Sequence, residues 1–157
     1  MFLSIEDLSE NGVLTEHWED VLTDTVFVVL DNLIKKEKTL EKIDLTILID
    51  DDCLEEGCDG YCVEADKNVF EVSLGSHLWE WDEKVLLKEI VTVLSHELVH
   101  VAQLATGMMR YPDHTKAIYE KKTFILEEVD YDDRPWEEEA YALQDTLAAM
   151  ALGKINA

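Results

Sequence analysis

The segment from Asp82 to Thr106 constrains this chain more than any other, because it is apolar on too many sides to lie on a surface. Val85, Leu86, Ile90, Val91, Leu94 and Leu98 begin a series that continues through Val101 and Ala105 and covers most of a helical circumference. Such a helix is buried, so the rest of the chain must wrap around it. Asp82 is placed to cap its start and Gly107 to end it. One narrow polar stripe runs through Lys88, Glu89, Thr92, Ser95, His96, His100 and Gln103. A polar stripe on a buried helix is expected to line a cleft.

The flanking segments supply the wrapping. Thr15 to Lys36 repeats Trp18, Val21, Leu22, Val26, Val29 and Leu33 at helical spacing, with Thr15 as N-cap. Ile43 to Ile49 alternates Ile43, Leu45, Ile47 and Ile49, which is strand periodicity, and Val69 to Leu74 is a second strand ended by Gly75. Between them an acidic loop, Asp50 to Cys62, turns at Gly57 and Gly60. Met108 to Arg134 reads as irregular, with a short hairpin over Lys116 to Leu126 around Glu120-Lys121. Pro135 suits the first position of a last helix, whose apolar face is Trp136, Ala140, Leu143 and Leu147. No repeat or Pro/Gly/Ser linker divides the chain, so residues 1–157 are expected to form one domain.

The long helix carries His96-Glu97-Leu98-Val99-His100. Residues four apart share a face one turn apart, so both imidazoles can reach one tetrahedral Zn²⁺. Glu97 projects beside His96, where it reaches a water rather than the metal. The pattern is two metal ligands and a general base.

A catalytic zinc wants a third protein ligand. The metzincin continuation of the motif requires Gly and then His, and here those positions hold Gln103 and Thr106. The ligand therefore comes from further along. Glu137 is the best choice, in the first turn of the last helix and close to its apolar face, with small Ala140 allowing two helices to approach. Glu139 flanks that face from the other side and is its rival. Glu138 points away. The run Glu137-Glu138-Glu139 also suits compensation of a helix N-terminus.

The motif at His96–His100, followed by Glu-x-x-Ala at Glu137 to Ala140, resembles the gluzincin type of zinc metallopeptidase. The stretch Arg134-Pro135-Trp136-Glu137-Glu138-Glu139-Ala140-Tyr141 resembles small metallopeptidases of bacteriophages and bacteria often described as SprT-like. The resemblance spans about Asp82 to Leu147. It implies an α+β, zincin-like fold: a small sheet packed on a central active-site helix, with the C-terminal helix closing the cleft. It implies hydrolysis of peptide bonds by a zinc-activated water, with His96, His100 and Glu137 as ligands and Glu97 as base. The third ligand of SprT-like enzymes proper is a histidine, which here would be His114. Many gluzincins place an Asp four residues after the ligand Glu to orient a zinc-bound His, and here that position is Tyr141. An oxyanion donor is expected among Tyr131, His114, Tyr141 and Arg134, with Tyr131 as the catalytic candidate.

Charge bounds the partners. The chain carries 36 acidic against 13 basic residues, a net charge of −23, which opposes binding to a phosphate backbone. A protein or peptide substrate is expected, with neither nucleic acid nor membrane, and a dedicated protein partner is compatible with a chain too small for a deep specificity subsite. The alternatives are a zincin-like protein that binds metal without cleaving, and an acidic DNA mimic. Cys53, Cys58 and Cys62 match neither the count nor the spacing of a structural zinc site and read as reduced structural thiols. Met1 to Asn11 lacks the basic start of a signal peptide, and Val26 to Leu30 is too short to span a bilayer. The expected location is the cytoplasm, that of the host for a phage-encoded protein.

Overall fold

The computed structural model describes every residue except Glu56, with Leu54 and Glu55 described through the backbone alone. The fold is α+β. Strand β1 (Phe2–Asp7) leads to helix α1 (Glu16–Leu33), short helix α2 (Glu37–Glu41) and strand β2 (Asp44–Asp50). A single turn, α3 (Asp52–Glu55), precedes a hairpin of β3 (Gly60–Asp66) and β4 (Val69–Gly75). Helix α4 (Glu83–Ala105) follows, then β5 (Met109–Asp113), β6 (Lys116–Tyr119), β7 (Lys122–Ile125) and helix α5 (Pro135–Ile155).

The first sheet is mixed, in the order β1-β2-β4-β3. β1, β2 and β4 run parallel, and β3 is the antiparallel edge strand. Alternation along β2 and β4 sends Leu45, Ile47 and Ile49 and their register partners Phe70, Val72 and Leu74 to one face, all fully buried. That face joins Leu22, Val26 and Leu30 of α1 and Ile90, Leu94 and Leu98 of α4 in one core. α5 packs against α4 and α1, and a second core of Val21, Val91, Ala148 and Ala151 sits between the three helices. No helix among the described residues is long and apolar enough to cross a membrane.

Local chemistry sets the element ends. Thr15 Oγ1 accepts from Trp18 N, and Asp82 accepts from Lys84 N, so both expected N-caps are formed. Gly107, with φ of 78°, follows the end of α4. α1 stops at Leu33 rather than Lys36. Ile34 is extended and only 4 % exposed, so burying that side chain draws the chain out of the helix. The connection from β1 to α1 is folded onto Asp7, whose carboxylate accepts from Ser9 N, Val13 N and Leu14 N.

Three expectations need correction. Phe2–Asp7, read only as a segment without signal-peptide character, is a strand that pairs with β2. The acidic loop expected at 50–62 ends at Asp59, because Gly60, Tyr61 and Cys62 already pair with Leu74, Ser73 and Val72 in β3; Glu56 of that loop lies outside the described residues. The hairpin at Lys116–Leu126 forms, turning at Glu120 and Lys121 with φ of 48° and 70°. The segment before it is not irregular: Met109–Asp113 adds a third strand, and this second sheet buries Met109, Ala117 and Tyr119 against Trp136.

Candidate metal centre

His96 and His100 lie on the same face of α4, with ring centroids 5.0 Å apart. Pro135 opens α5 so that Glu137, in its first turn, points back at both rings. His96 Nε2 and His100 Nε2 are each 3.1 Å from Glu137 Oε1. One ligand atom from each of the three residues lies within 4.8 Å of the others. Ligand atoms at about 2.0–2.1 Å from a tetrahedral zinc are about 3.3 Å apart, so the donor set has the size of a zinc site. His96, Glu97, His100 and Glu137 are 7–9 % exposed.

The hydrogen-bond network around the rings gives a stricter test of fit. Gln103 Nε2 donates to Trp136 O at 3.0 Å and to Glu139 Oε1 at 2.9 Å. Two acceptors fix the amide, so Gln103 Oε1 faces His100 Nδ1, 2.8 Å away, and must accept its proton. His100 Nε2 then presents a lone pair to a carboxylate oxygen. Two acceptors face each other, and only a cation between them resolves the conflict. It is either a second proton on the ring or a metal ion. Gln144 of α5 meets the second ring, with its Oε1 2.9 Å from His96 Nδ1. The residues fit a divalent metal, with His100 held in the tautomer that frees Nε2.

The charges follow from this crowding. Burial pushes the Glu137 carboxyl up, but hydrogen bonds from His100 and His96 outweigh it and hold the pKa at about 2. Burial pushes the His100 imidazole down, and the Glu137 carboxylate reverses this through its hydrogen bond and charge, leaving the pKa raised. Glu97 is raised by burial, against the charges of His100 and His96. Tyr131, on a turn before α5, donates to Glu137 Oε1 at 3.0 Å, and its phenol is raised by burial and by that carboxylate.

The other residues singled out from the sequence fall as follows. His114 is exposed in the turn between β5 and β6 and is not part of the cluster. Glu139 accepts from Gln103 and does not face the rings. Glu138 is exposed, as expected. Tyr141 does not take the orienting role its position suggested: its ring packs on His96 at 4.6 Å, and Gln144 meets the nitrogen. Arg134 is engaged with Leu126 O and Val129 O and stacks over Tyr131. Ser95, read as part of the cleft stripe, is fully buried and lines neither cavity beside the cluster.

Sequence reasoning missed Gln103 and Gln144 as partners of the rings. Gln144 carried a signal, since Glu137, Tyr141 and Gln144 repeat at helical spacing on α5. It also missed that Cys62 sits on β3 beside the centre. Burial and then Glu97 push that thiol well above its ordinary pKa.

Two cavities meet at Glu97. The larger, about 590 Å³, runs from His96 along α4 past Thr92 to Glu89. The smaller, about 210 Å³, lies toward Tyr111, Arg134 and Trp136. A chain of this size was expected to leave little room for a subsite, yet the larger void falls in the range of small-ligand pockets. β3 comes close to α4 at Gly60, where a Cβ would lie 3.2 Å from Val93 Cγ1 and 3.4 Å from Glu97 Cγ. No family model matches this chain, and neither does any curated protein or solved structure.

Proposed function

We propose that this protein is a zinc-dependent metallopeptidase of zincin-like architecture that hydrolyses peptide bonds. One observation carries the reading: His96 Nε2, His100 Nε2 and Glu137 Oε1 converge in a buried cluster, with Glu97 beside them at the junction of two cavities. A mixed sheet with its antiparallel edge strand against the motif helix also favours it.

His96, His100 and Glu137 would hold the zinc, which when bound supplies a Lewis acid that activates water and polarises a carbonyl. The Glu97 carboxylate takes a proton from the attacking water and passes it to the leaving amine. Its place at the junction of the two cavities puts it within reach of both the water and the leaving group. The Tyr131 hydroxyl, kept protonated by its surroundings, donates to the carbonyl oxygen as negative charge develops there. The outer edge of β3 offers backbone groups to an extended substrate along the cleft.

The test separates ligand from base. Purified protein should contain one zinc per chain, lost in His96→Ala, His100→Ala and Glu137→Ala and kept in His114→Ala. Glu97→Gln should keep its zinc while cleavage of denatured protein substrates falls by about 10²–10⁴-fold, about 3–5 kcal/mol of barrier. Equal cleavage by wild type and Glu97→Gln would reject the peptidase reading.

A further inference from the structure

The larger cavity has a charge that decides what it accepts. Glu89, Thr92, Val93 and His96 follow one another at i, i+3, i+4 and i+7 along α4 and form one wall. Glu89 is therefore about 10 Å from His96 along the helix axis, the span of about three extended residues. Tyr61, Tyr131 and Tyr141 form aromatic parts of the lining. Besides Glu97, the lining carries the carboxylates of Asp59 and Glu89, and among the described residues it contains no lysine or arginine. Asp59 is tied to His77 Nε2 at 2.9 Å, with its side chain 59 % exposed. Glu89 is half-buried and has no ion-pair partner among the described residues. A chain of net charge −23 adds its own field, which a cleft concentrates.

We propose that this cavity selects peptides bearing a lysine or arginine within about three residues of the bond that is cut, with the cation received by Glu89 and by the tyrosine faces. The assignment rests on the peptidase reading for the word "cut" and on the cavity alone for the cation. A carboxylate-bearing peptide is repelled from the same wall. Glu89 is a specificity residue and takes no part in the bond-breaking step.

Binding and cleavage are read separately. Three capped peptides of identical length, carrying lysine, glutamine or glutamate at the positions flanking a central apolar bond, are titrated by calorimetry into zinc-loaded Glu97→Gln protein. The lysine peptide should bind at least about tenfold tighter than the glutamate peptide. Glu89→Lys, built on the same background, should remove about tenfold of that preference, and Glu89→Gln a smaller part. Glu37→Lys, on α2 and lining neither cavity, should leave it intact. A preference that survives Glu89→Lys, or falls equally in Glu37→Lys, overturns the inference, because the attraction then belongs to the whole acidic surface. The same peptides are incubated with zinc-loaded wild type and followed by mass spectrometry. Selective binding without cleavage overturns the peptidase reading and leaves the cation site standing. Cleavage without charge preference does the opposite.

Discussion

At the scale of single residues the centre depends on glutamines that no metal motif contains. Gln103 has three partners at once: His100 Nδ1, Trp136 O and Glu139 Oε1. It orients a ligand and ties the motif helix to the start of α5 in one side chain. Gln103→Leu preserves bulk and removes all three contacts, so zinc affinity should fall about 10–100-fold, the usual cost of losing a partner behind a metal ligand. Gln103→Glu restores an acceptor for His100 but sets a second carboxylate against Glu139. It should recover zinc affinity relative to Gln103→Leu while losing thermal stability relative to wild type. Competition with a chromophoric chelator, alongside melting curves, separates the two effects. If both variants bind zinc like wild type, the amide does not hold the ring.

The elements depend on how closely β3 can lie against α4. A Cβ on Gly60 would sit 2.9 Å from Ser73 O, 3.2 Å from Val93 Cγ1 and 3.4 Å from Glu97 Cγ. Ser73 O is backbone of β4 and cannot yield, so Gly60→Ala must push β3 out of its place between sheet and helix. We expect a loss of about 1–3 kcal/mol and a drop in any Glu97-dependent cleavage. Gly153, inside α5 with nothing within 4 Å of a built Cβ, is the contrast: Gly153→Ala should stabilise by about 0.5–1 kcal/mol. Denaturant melts of both variants test the pair, and equal effects would deny the close approach. The same strand shows why parts of the fold were hidden in the sequence. α4 and α5 declare themselves locally, since Ile90–Leu98 and Trp136–Leu147 repeat at their own helical period and the His-Glu-x-x-His spacing is contained in one turn. β3 has Gly, Cys and two acids and exposes most of its length, so only pairing with β4 makes it a strand. β1 is an edge whose partner lies some forty residues on, in register from Phe2↔Asp44 to Asp7↔Ile49. Cys62 gains its place from residues on other elements, which no local pattern encodes, and Gln103, three residues from His100 on α4, is fixed in its role by Trp136 and Glu139 of α5.

For the whole molecule, the metal cluster is a clasp between the two longest elements. α4 supplies both histidines and α5 supplies Glu137, so a metal ion bound there stabilises the folded chain by mass action, by about 4 kcal/mol when free metal is a thousandfold above its dissociation constant. The ion competes with protons for the same atoms, which makes the gain depend on pH. In metal-free protein the His100 pKa lies above its ordinary 6.5, so its pairing stabilises the fold fully below about 6.5 and is lost as pH rises through the raised value. The Glu137 pKa lies below its ordinary 4.5, so its pairing is fully present above about 4.5 and is lost as pH falls toward about 2. The metal-free clasp is therefore strongest between these two ordinary values, where the carboxylate is ionised and the ring protonated. Zinc needs the ring deprotonated at Nε2 and replaces that proton, so its stabilisation grows as the protonated pair weakens. The difference in melting temperature between zinc-loaded and chelator-treated protein should accordingly be small at pH 5 and rise steadily to pH 8. In Glu137→Ala, which removes both the carboxylate pairing and the third ligand, the difference should shrink across the whole range. Calorimetric melts at fixed free zinc give both curves directly. A difference that does not change with pH would mean that the ion does not displace a proton from His100, and the cluster would not be where the metal binds.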